Sequence, residues 1–296
     1  MTLLADSKML EDPKMHVASL WQHPVKSMIG VSVDRAELTD TGMAGDRGWA
    51  VRDEERGGIR GAKKIGELMQ FAASYNDDAV DNAVRITLPD GSMVGSADPN
   101  VHDEISRALG RRVTLMPLQP AADLDHYRRG RPDSDDVMTE LRAIFGREID
   151  EPLPDLSIFP PEIMEFESPP GTYLDAFPLL VMTTSALRSL GDALPGSNVD
   201  VRRFRPNIVI DTGDQPGHPE FAWTGQRLLI GSVELEVIAP CPRCVMVTRQ
   251  ITPALAADRQ ILRHIVADLD QNLGVYARAV VPGPLAVGTP AHLTAR

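Results

Sequence analysis

Prolines and glycines recur so often along this chain that we expect many short strands and turns. The 296 residues include 24 prolines and 23 glycines, which end regular elements and form tight turns. In the first third, apolar and polar residues alternate at 16–21, 31–33, 49–51 and 84–88, and this alternation is typical of half-buried strands. The pattern predicts a β-rich domain over residues 15–120.

The remaining chain is expected to form a connector and a second β-rich domain. Residues 121–175 contain one apolar periodicity, at Val137, Leu141, Ile144 and Phe145, which predicts a helix capped by Ser134, and several prolines follow it. Residues 176–296 combine strand patterns with two helical ones, of which the second places Leu255 at its start and Gly274 at its end. The sequence therefore predicts a mixed α/β, β-rich fold with helical inserts in its last part.

Charge and hydropathy exclude two classes of partner. The chain has 42 acidic and 30 basic residues, a net charge of -12, so a nucleic-acid partner is not expected. No apolar run approaches the roughly 18 residues that a membrane-spanning helix needs. The first residues become charged at once and give no signal-peptide pattern, and two cysteines suit a reducing compartment. We expect a cytoplasmic protein with no membrane segment.

The two cysteines, Cys241 and Cys244, stand three residues apart after a predicted strand over 227–238. A thiolate is a soft metal ligand, so a chain with so little sulfur is expected to use it chemically. A structural zinc site would need further ligands nearby, and the seven histidines are scattered. The β-branched residues at 245–248 disfavour a thioredoxin-type pair, which would begin a helix. Two cysteines buried as small apolar residues remain an open alternative.

Basic motifs stand at the ends of three predicted strands. Lys26-Ser27 lies in a turn, Asp46-Arg47 precedes a strand, and the segment 203–207 (Arg-Phe-Arg-Pro-Asn) precedes another. Arginine binds phosphate in a bidentate way, and lysine beside a hydroxyl adds a point charge. Each motif alone has a simpler interpretation: Asp46 and Arg47 would form an ordinary salt bridge, and Lys26 would be a solvated lysine in a loop. Together with a thiolate, the three motifs indicate a phosphorylated cofactor that carries a soft metal.

These motifs, in this order, resemble the MOSC proteins, the molybdenum cofactor sulfurase carboxy-terminal domain family, over about residues 15–296. Two segments resemble the amino-terminal β-barrel half of that family: His23-Pro24-Val25-Lys26-Ser27 and Gly45-Asp46-Arg47-Gly48-Trp49. Five further features resemble the MOSC domain itself: Arg203-Phe204-Arg205-Pro206-Asn207, Trp223, Leu229-Ile230-Gly231, Cys241-Pro242-Arg243-Cys244 and the ending at 282–288. The resemblance implies an amino-terminal β-barrel domain at 15–120, a connector with a helix at 121–175 and a MOSC β-barrel domain at 176–296.

The resemblance also implies a molybdenum cofactor (Mo-molybdopterin) bound through one cysteine. The family's Arg-Cys dipeptide makes Cys244 the metal ligand and catalytic residue, with Cys241 secondary and Arg243 a candidate to tune the metal. Ala176 and Phe177 depart from the family's small hydroxyl residues. The positions that match cofactor contacts of the family are Lys26, Ser27, Arg47, Asp175, Arg205, Asn207 and Arg243.

The functional analogues that the resemblance implies are the amidoxime-reducing components and their bacterial counterparts. These reduce small N-hydroxylated substrates, such as amidoximes and hydroxylamines, by oxygen-atom transfer. Two cysteines are too few for a plant-type iron-sulfur centre, so a separate electron donor, a reductase or ferredoxin-like protein, is expected. The alternative function is a non-catalytic molybdenum cofactor or sulfur carrier, which would keep the same pocket and cysteine.

Overall fold

The computed structural model describes residues 15–75 and 82–294. The strands are β1 (Met15–Gln22), β2 (Val31–Val33), β3 (Arg35–Thr39), β4 (Gly42–Met43), β5 (Trp49–Asp53), β6 (Ala72–Tyr75), β7 (Val84–Thr87), β8 (Met93–Gly95), β9 (Val113–Pro117), β10 (Leu179–Thr183), β11 (Ile208–Asp211), β12 (Arg227–Ile230), β13 (Val233–Pro242), β14 (Asn272–Val281), β15 (Gly283–Ala286) and β16 (Pro290–Thr294). The α-helices are α1 (Val101–Leu109), α2 (Leu124–Tyr127), α3 (Val137–Phe145), α4 (Thr184–Ala193) and α5 (Arg259–Asp268). The 3-10 helices are Gly66–Gln70, Leu156–Ile158, Pro161–Met164, Val201–Arg203, Pro219–Trp223 and Val245–Thr248. The sequence predicts no signal peptide from its charged first residues. These residues lie outside the described part of the chain.

Seven strands close into a barrel, so the expected mixed α/β, β-rich fold is confirmed. Their order is β11-β10-β14-β13-β12-β16-β1, and pairing of β1 with β11 closes the ring. The barrel thus takes its first strand from the beginning of the described chain and the other six from residues 179–294. Its interior is apolar: Val17, Leu20, Leu228, Ile230 and Val275 are all fully buried.

Three small sheets accompany the barrel: β15-β3-β4 packs on the barrel core, whereas β5-β9 and β6-β7-β8 cover a separate core formed mainly by the first third of the chain. The core contains Val25, Met28 and Phe71 from the first third, but also Met246 and Ile251 from the segment after Cys244. The cysteine segment is therefore packed between the barrel and the first third of the chain. The boundaries 15–120, 121–175 and 176–296 stay a prediction.

Three local sequence predictions need correction. Asp136, not Ser134, caps α3: its carboxylate accepts a hydrogen bond of 2.7 Å from the Thr139 amide. The strand predicted over 227–238 is a hairpin, because Gly231 adopts a left-handed turn at φ 61° between β12 and β13. The last helix, α5, spans Arg259–Asp268, so it neither begins at Leu255 nor reaches Gly274. The recurrence of Val101, Ile105 and Leu109 every four positions predicts a helix over 100–110, and α1 confirms it.

Within the described part of the chain, no helix has the length and apolar character that crossing a bilayer requires.

The buried carboxyl group of Glu220 is expected to make the free energy of unfolding depend on pH. Its side chain is fully buried and accepts a 2.7 Å hydrogen bond from the Thr183 hydroxyl, and burial raises its pKa. The folded state therefore holds this proton more tightly than the unfolded chain, whose glutamate pKa is about 4.3. The resulting stabilisation is complete below that value and is lost as pH rises through the folded-state pKa.

Glu220→Gln removes the titrating proton and keeps an oxygen for the Thr183 hydroxyl. We expect the free energy of unfolding of the variant, relative to the parent protein, to increase as the pH is raised above about 4.3. Urea unfolding curves measured from pH 4 to pH 8 check this. Parallel pH profiles for the two proteins would contradict the assigned pKa shift.

Candidate functional site

A cavity of about 460 Å³ lies where the first third, the connector and the barrel meet. Its size is within the usual range for small-molecule and cofactor sites, about 300–1,000 Å³. Cationic side chains on its lining include Arg47, Arg60, Lys63, Lys64, Arg205 and Arg243. Apolar side chains on its lining include Leu141, Ile144, Phe159, Phe177 and Tyr276. The cavity therefore combines a site for an anion with an apolar surface.

Cys244 and Cys241 both line this cavity but differ in exposure. Cys244 is partly exposed and immediately precedes the 3-10 helix Val245–Thr248. Cys241 lies within β13, is only 4% exposed, and burial raises the pKa of its thiol. The structure therefore leaves Cys244 as the sulfur within reach of a ligand, and Cys241 matches the alternative of a buried cysteine.

Arg243 joins the cysteine segment to the segment before β11. Its Nη2 atom donates a 2.7 Å hydrogen bond to the Phe204 carbonyl, and Nη1 donates to the Cys241 sulfur at 3.3 Å. The guanidinium also lies 5.5 Å from the centre of the Phe204 ring. Since Arg243 is 7% exposed, these contacts fix the backbone on which Cys244 is carried.

Arg205 and Asn207 both line the cavity, and each has a buried donor without a partner among the described residues. Arg205 is 6% exposed and donates Nη1 to the Met28 carbonyl, while its Nη2 has no hydrogen-bond partner among the residues described. Asn207 accepts from the Leu180 amide at 3.2 Å, and its Nδ2 likewise has no partner there. A buried donor left unpaired costs about 1–3 kcal/mol. Two of them on one cavity indicate that the site accepts an oxygen-rich ligand.

The ligand expected at Arg205 is an anion. Burial and the neighbouring Arg47 lower the pKa of Arg205 to about 9, because both disfavour a further positive charge. Arg47 itself lines the cavity and is paired with Asp46, so the salt bridge expected from the sequence is present. A bound phosphate would be stabilised by both guanidinium groups.

Three of the sequence-predicted cofactor residues have left-handed backbones. Ser27, Arg47 and Arg205 have φ values of 69°, 53° and 56°. Such conformations cost non-glycine residues of order 1–3 kcal/mol and concentrate at functional sites. Their coincidence with predicted contacts supports a binding role for these three segments.

Lys26 lies behind the cavity wall. It is 3% exposed, and its ammonium donates to Asp175 at 2.6 Å, to the Tyr173 carbonyl at 3.0 Å and to Ser168 at 3.2 Å. Burial outweighs the attraction of Asp175 and lowers the pKa of Lys26. The interpretation of Lys26 as a solvated loop lysine is therefore wrong. Its neighbour Ser27 is also buried, and its hydroxyl accepts a 2.8 Å bond from the Ala62 amide.

Lys63 is a cavity residue that sequence reasoning missed. Its ammonium lies 3.0 Å from the second oxygen of Asp175, which lines the cavity together with Lys63. Although burial opposes it, attraction to Asp175 and to Cys244 raises the pKa of Lys63. Partial desolvation at the cavity disfavours the ionised form of Asp175, whose side chain is 45% exposed, but Lys26 and Lys63 hold the pKa of its carboxyl well below the usual range. The only sequence signal at this position is the Lys-Lys pair at 63–64, and such a pair is equally typical of a solvated loop.

No group of three or more His, Cys, Asp or Glu side chains is arranged to hold a metal ion in the part of the chain that the structure describes. A metal at Cys244 would therefore need other ligands from an organic cofactor. The unpaired donors of Arg205 and Asn207, the cationic lining and one accessible sulfur fit such an anionic cofactor.

Comparison with known proteins gives matches over both parts of the chain. The MOSC domain family matches residues 170–292, and the MOSC N-terminal beta barrel domain family matches residues 14–114. The mitochondrial amidoxime reducing component 2 of Bos taurus is 28% identical over 240 residues, which cover 78% of this chain and 66% of that protein. The mitochondrial amidoxime-reducing component 1 of Mus musculus is 26% identical over 306 residues, which cover 94% of this chain and 82% of that protein. A solved structure, the YUAD protein from Bacillus subtilis, has a TM-score of 0.42 at 10% identity and covers 96% of this chain and 97% of that chain.

Proposed function

Since the chain is a MOSC domain protein with a MOSC N-terminal β-barrel domain, we propose that it is a molybdenum cofactor-dependent oxidoreductase. Its proposed substrates are N-hydroxylated compounds, such as amidoximes and hydroxylamines. The observation that carries the proposal is the accessible Cys244 sulfur in a cavity where Arg205 Nη2 and Asn207 Nδ2 lack partners. The named activity of the two mammalian relatives supports the choice of substrate class.

The proposed cofactor contacts follow from charge and position. Cys244 offers a thiolate, the soft ligand that suits molybdenum. Arg47, Arg205 and Asn207 offer donors to the phosphate and pterin, and Arg243 holds the backbone that carries Cys244. Lys26 and Ser27, which we also expected to contact the cofactor, are proposed to support the site instead, because Lys26 fixes Asp175 and Ser27 fixes the loop at Ala62. Asp175, the third such residue, lines the cavity.

The proposed reaction removes the oxygen of an N-OH group. With two electrons and two protons, an amidoxime gives an amidine and water, and the bound cofactor supplies this two-electron redox chemistry. The chain supplies the cavity and its cationic groups. Lys63, whose ammonium lies 3.0 Å from Asp175 on the lining, is proposed to hold a proton at Nζ. The electrons are proposed to come from a separate donor protein, because two cysteines are too few for a plant-type iron-sulfur centre.

Protein isolated from cells that make molybdenum cofactor is expected to oxidise reduced viologen dye when benzamidoxime is added. The colour loss should depend on both protein and amidoxime and should be accompanied by stoichiometric benzamidine. Molybdenum and oxidised pterin measured on the same sample establish that the cofactor is present.

The same assay separates the alternative function. A cofactor or sulfur carrier would contain the cofactor, or pass it to an apo-enzyme, without consuming the dye. A molybdenum-loaded sample that leaves both benzamidoxime and a hydroxylaminopurine unreduced would contradict the reductase proposal.

A further inference from the structure

Three aromatic side chains from distant parts of the chain meet on the cavity lining. Phe159 comes from the connector, Phe177 from the segment just before β10, and Tyr276 from β14. The ring centres of Phe177 and Tyr276 are 4.5 Å apart, and Phe159 lies 6.3 Å from Phe177 and 6.4 Å from Tyr276. These distances are typical of favourable aromatic pairs. We call Phe159, Phe177 and Tyr276 the aromatic cluster.

The aromatic cluster is part of a cavity surface. All three residues are partly exposed, whereas the core aromatics Phe71 and Phe204 are 0% and 1% exposed. Aromatic residues make up only 5% of the chain, so the meeting of three of them at one cavity is a marked local enrichment. An exposed ring surface inside a cavity is suited to contact a flat apolar group.

The aromatic cluster lines the same cavity as the cysteine segment and the charged side chains. Tyr276 pairs with Ala239 in the ladder between β14 and β13, which places the residue beside the strand that leads to Cys244. The lining also carries charge: Arg47 is paired with Asp46, and Lys63 with Asp175. An anionic cofactor is held by cations and by the unpaired donors of Arg205 and Asn207. The uncharged rings are left for the other ligand of the site.

We propose that the aromatic cluster is a substrate subsite that binds the flat ring of an aromatic N-hydroxylated compound and selects it over aliphatic ones. This inference rests on the proposed reductase function and assigns its specificity to Phe159, Phe177 and Tyr276. An aromatic contact is worth about 0.5–1.5 kcal/mol beyond area burial, which corresponds to a preference of roughly two- to tenfold.

The test is the ratio of kcat/KM for benzamidoxime to kcat/KM for acetamidoxime. Phe177→Leu keeps an apolar side chain but removes the ring that contacts Tyr276, and the ratio should fall by roughly two- to tenfold. The matched control is Phe221→Leu, the same change at a residue that packs against the barrel core and stacks on His218. The control should leave the ratio unchanged. A ratio that is the same in Phe177→Leu and in the parent protein would overturn the subsite.

Two further measurements separate the subsite from the proposed function. Oxidised pterin is quantified in each protein, and pterin lost from Phe177→Leu but retained in Phe221→Leu would overturn the proposal by assigning the ring to the cofactor. Calorimetric binding of benzamidine and acetamidine needs no turnover. If the parent protein reduces neither amidoxime, the reductase proposal fails, while a preference for benzamidine that Phe177→Leu loses still supports the subsite. Equal binding of the two amidines would overturn it.

Discussion

Replacing Cys244 with alanine is expected to lower amidoxime reduction by more than about 100-fold, because loss of a single outer contact to a metal ligand already costs about 10–100-fold. Cys244 is the partly exposed sulfur on the cavity, and the described residues hold no group of three or more metal-ligating side chains that could replace it. Reduced-viologen turnover with benzamidoxime, expressed per molybdenum and per protein, measures the loss.

Cys241→Ala is the matched control. This sulfur is 4% exposed and is contacted by Arg243, so its removal disturbs packing and leaves the accessible thiol in place. We expect a distinctly smaller loss of turnover than for Cys244→Ala. Equal losses in both variants would attribute the effect to the fold of the segment, and full turnover of Cys244→Ala would show that catalysis does not depend on its sulfur.

Arg203→Met is expected to lower the free energy of unfolding by roughly 3 kcal/mol or more, since a hydrogen bond to a charged group contributes about 1.5–3 kcal/mol. Arg203 is 1% exposed. Its guanidinium donates to the carbonyls of Asn198 at 3.0 Å, Arg249 at 3.0 Å and Ala256 at 2.7 Å. Methionine fills similar space but leaves all three carbonyls without this donor. Urea unfolding followed by circular dichroism measures the change.

The adjacent Arg202 offers a control of the same chemistry. Its side chain is 36% exposed and pairs with Asp200 at 2.7 Å, and such exposed pairs contribute about 0–1 kcal/mol. The free energy of unfolding of Arg202→Met should therefore lie within about 1 kcal/mol of that of the parent protein. Equal destabilisation by the two substitutions would show that the carbonyl contacts of Arg203 do not stabilise this region.

Local patterns in the sequence predicted local structure well. Alternating residues located β1, β2, β5 and β7, and the periodicity of Val101, Ile105 and Leu109 located α1. These signals succeed because the side chains of one strand or helix must divide between core and solvent. The closure of the barrel by β1 with β11 was not predicted, because pairing between strands so distant in the chain leaves no periodicity in either one.

The candidate site was predictable only in part for a related reason. Arg203 and Arg205 stand two residues apart in one motif, yet three backbone carbonyls engage Arg203 while Arg205 keeps an unpaired Nη2 at the cavity. Lys26, predicted as a cofactor contact, is engaged by Asp175, and Lys63 reaches the cavity instead. Tertiary contacts decide which cationic side chain is available to a ligand in the cavity. Residue type and spacing along the sequence do not reveal those contacts.

The central claim is that the Cys244 sulfur binds molybdenum in this cavity. Molybdenum K-edge X-ray absorption, recorded on the parent protein and on Cys244→Ala loaded with cofactor under the same conditions, tests it most directly. We predict that the variant loses one sulfur neighbour of the metal while Cys241→Ala retains the parent spectrum. Identical spectra for the parent protein and Cys244→Ala would contradict the claim.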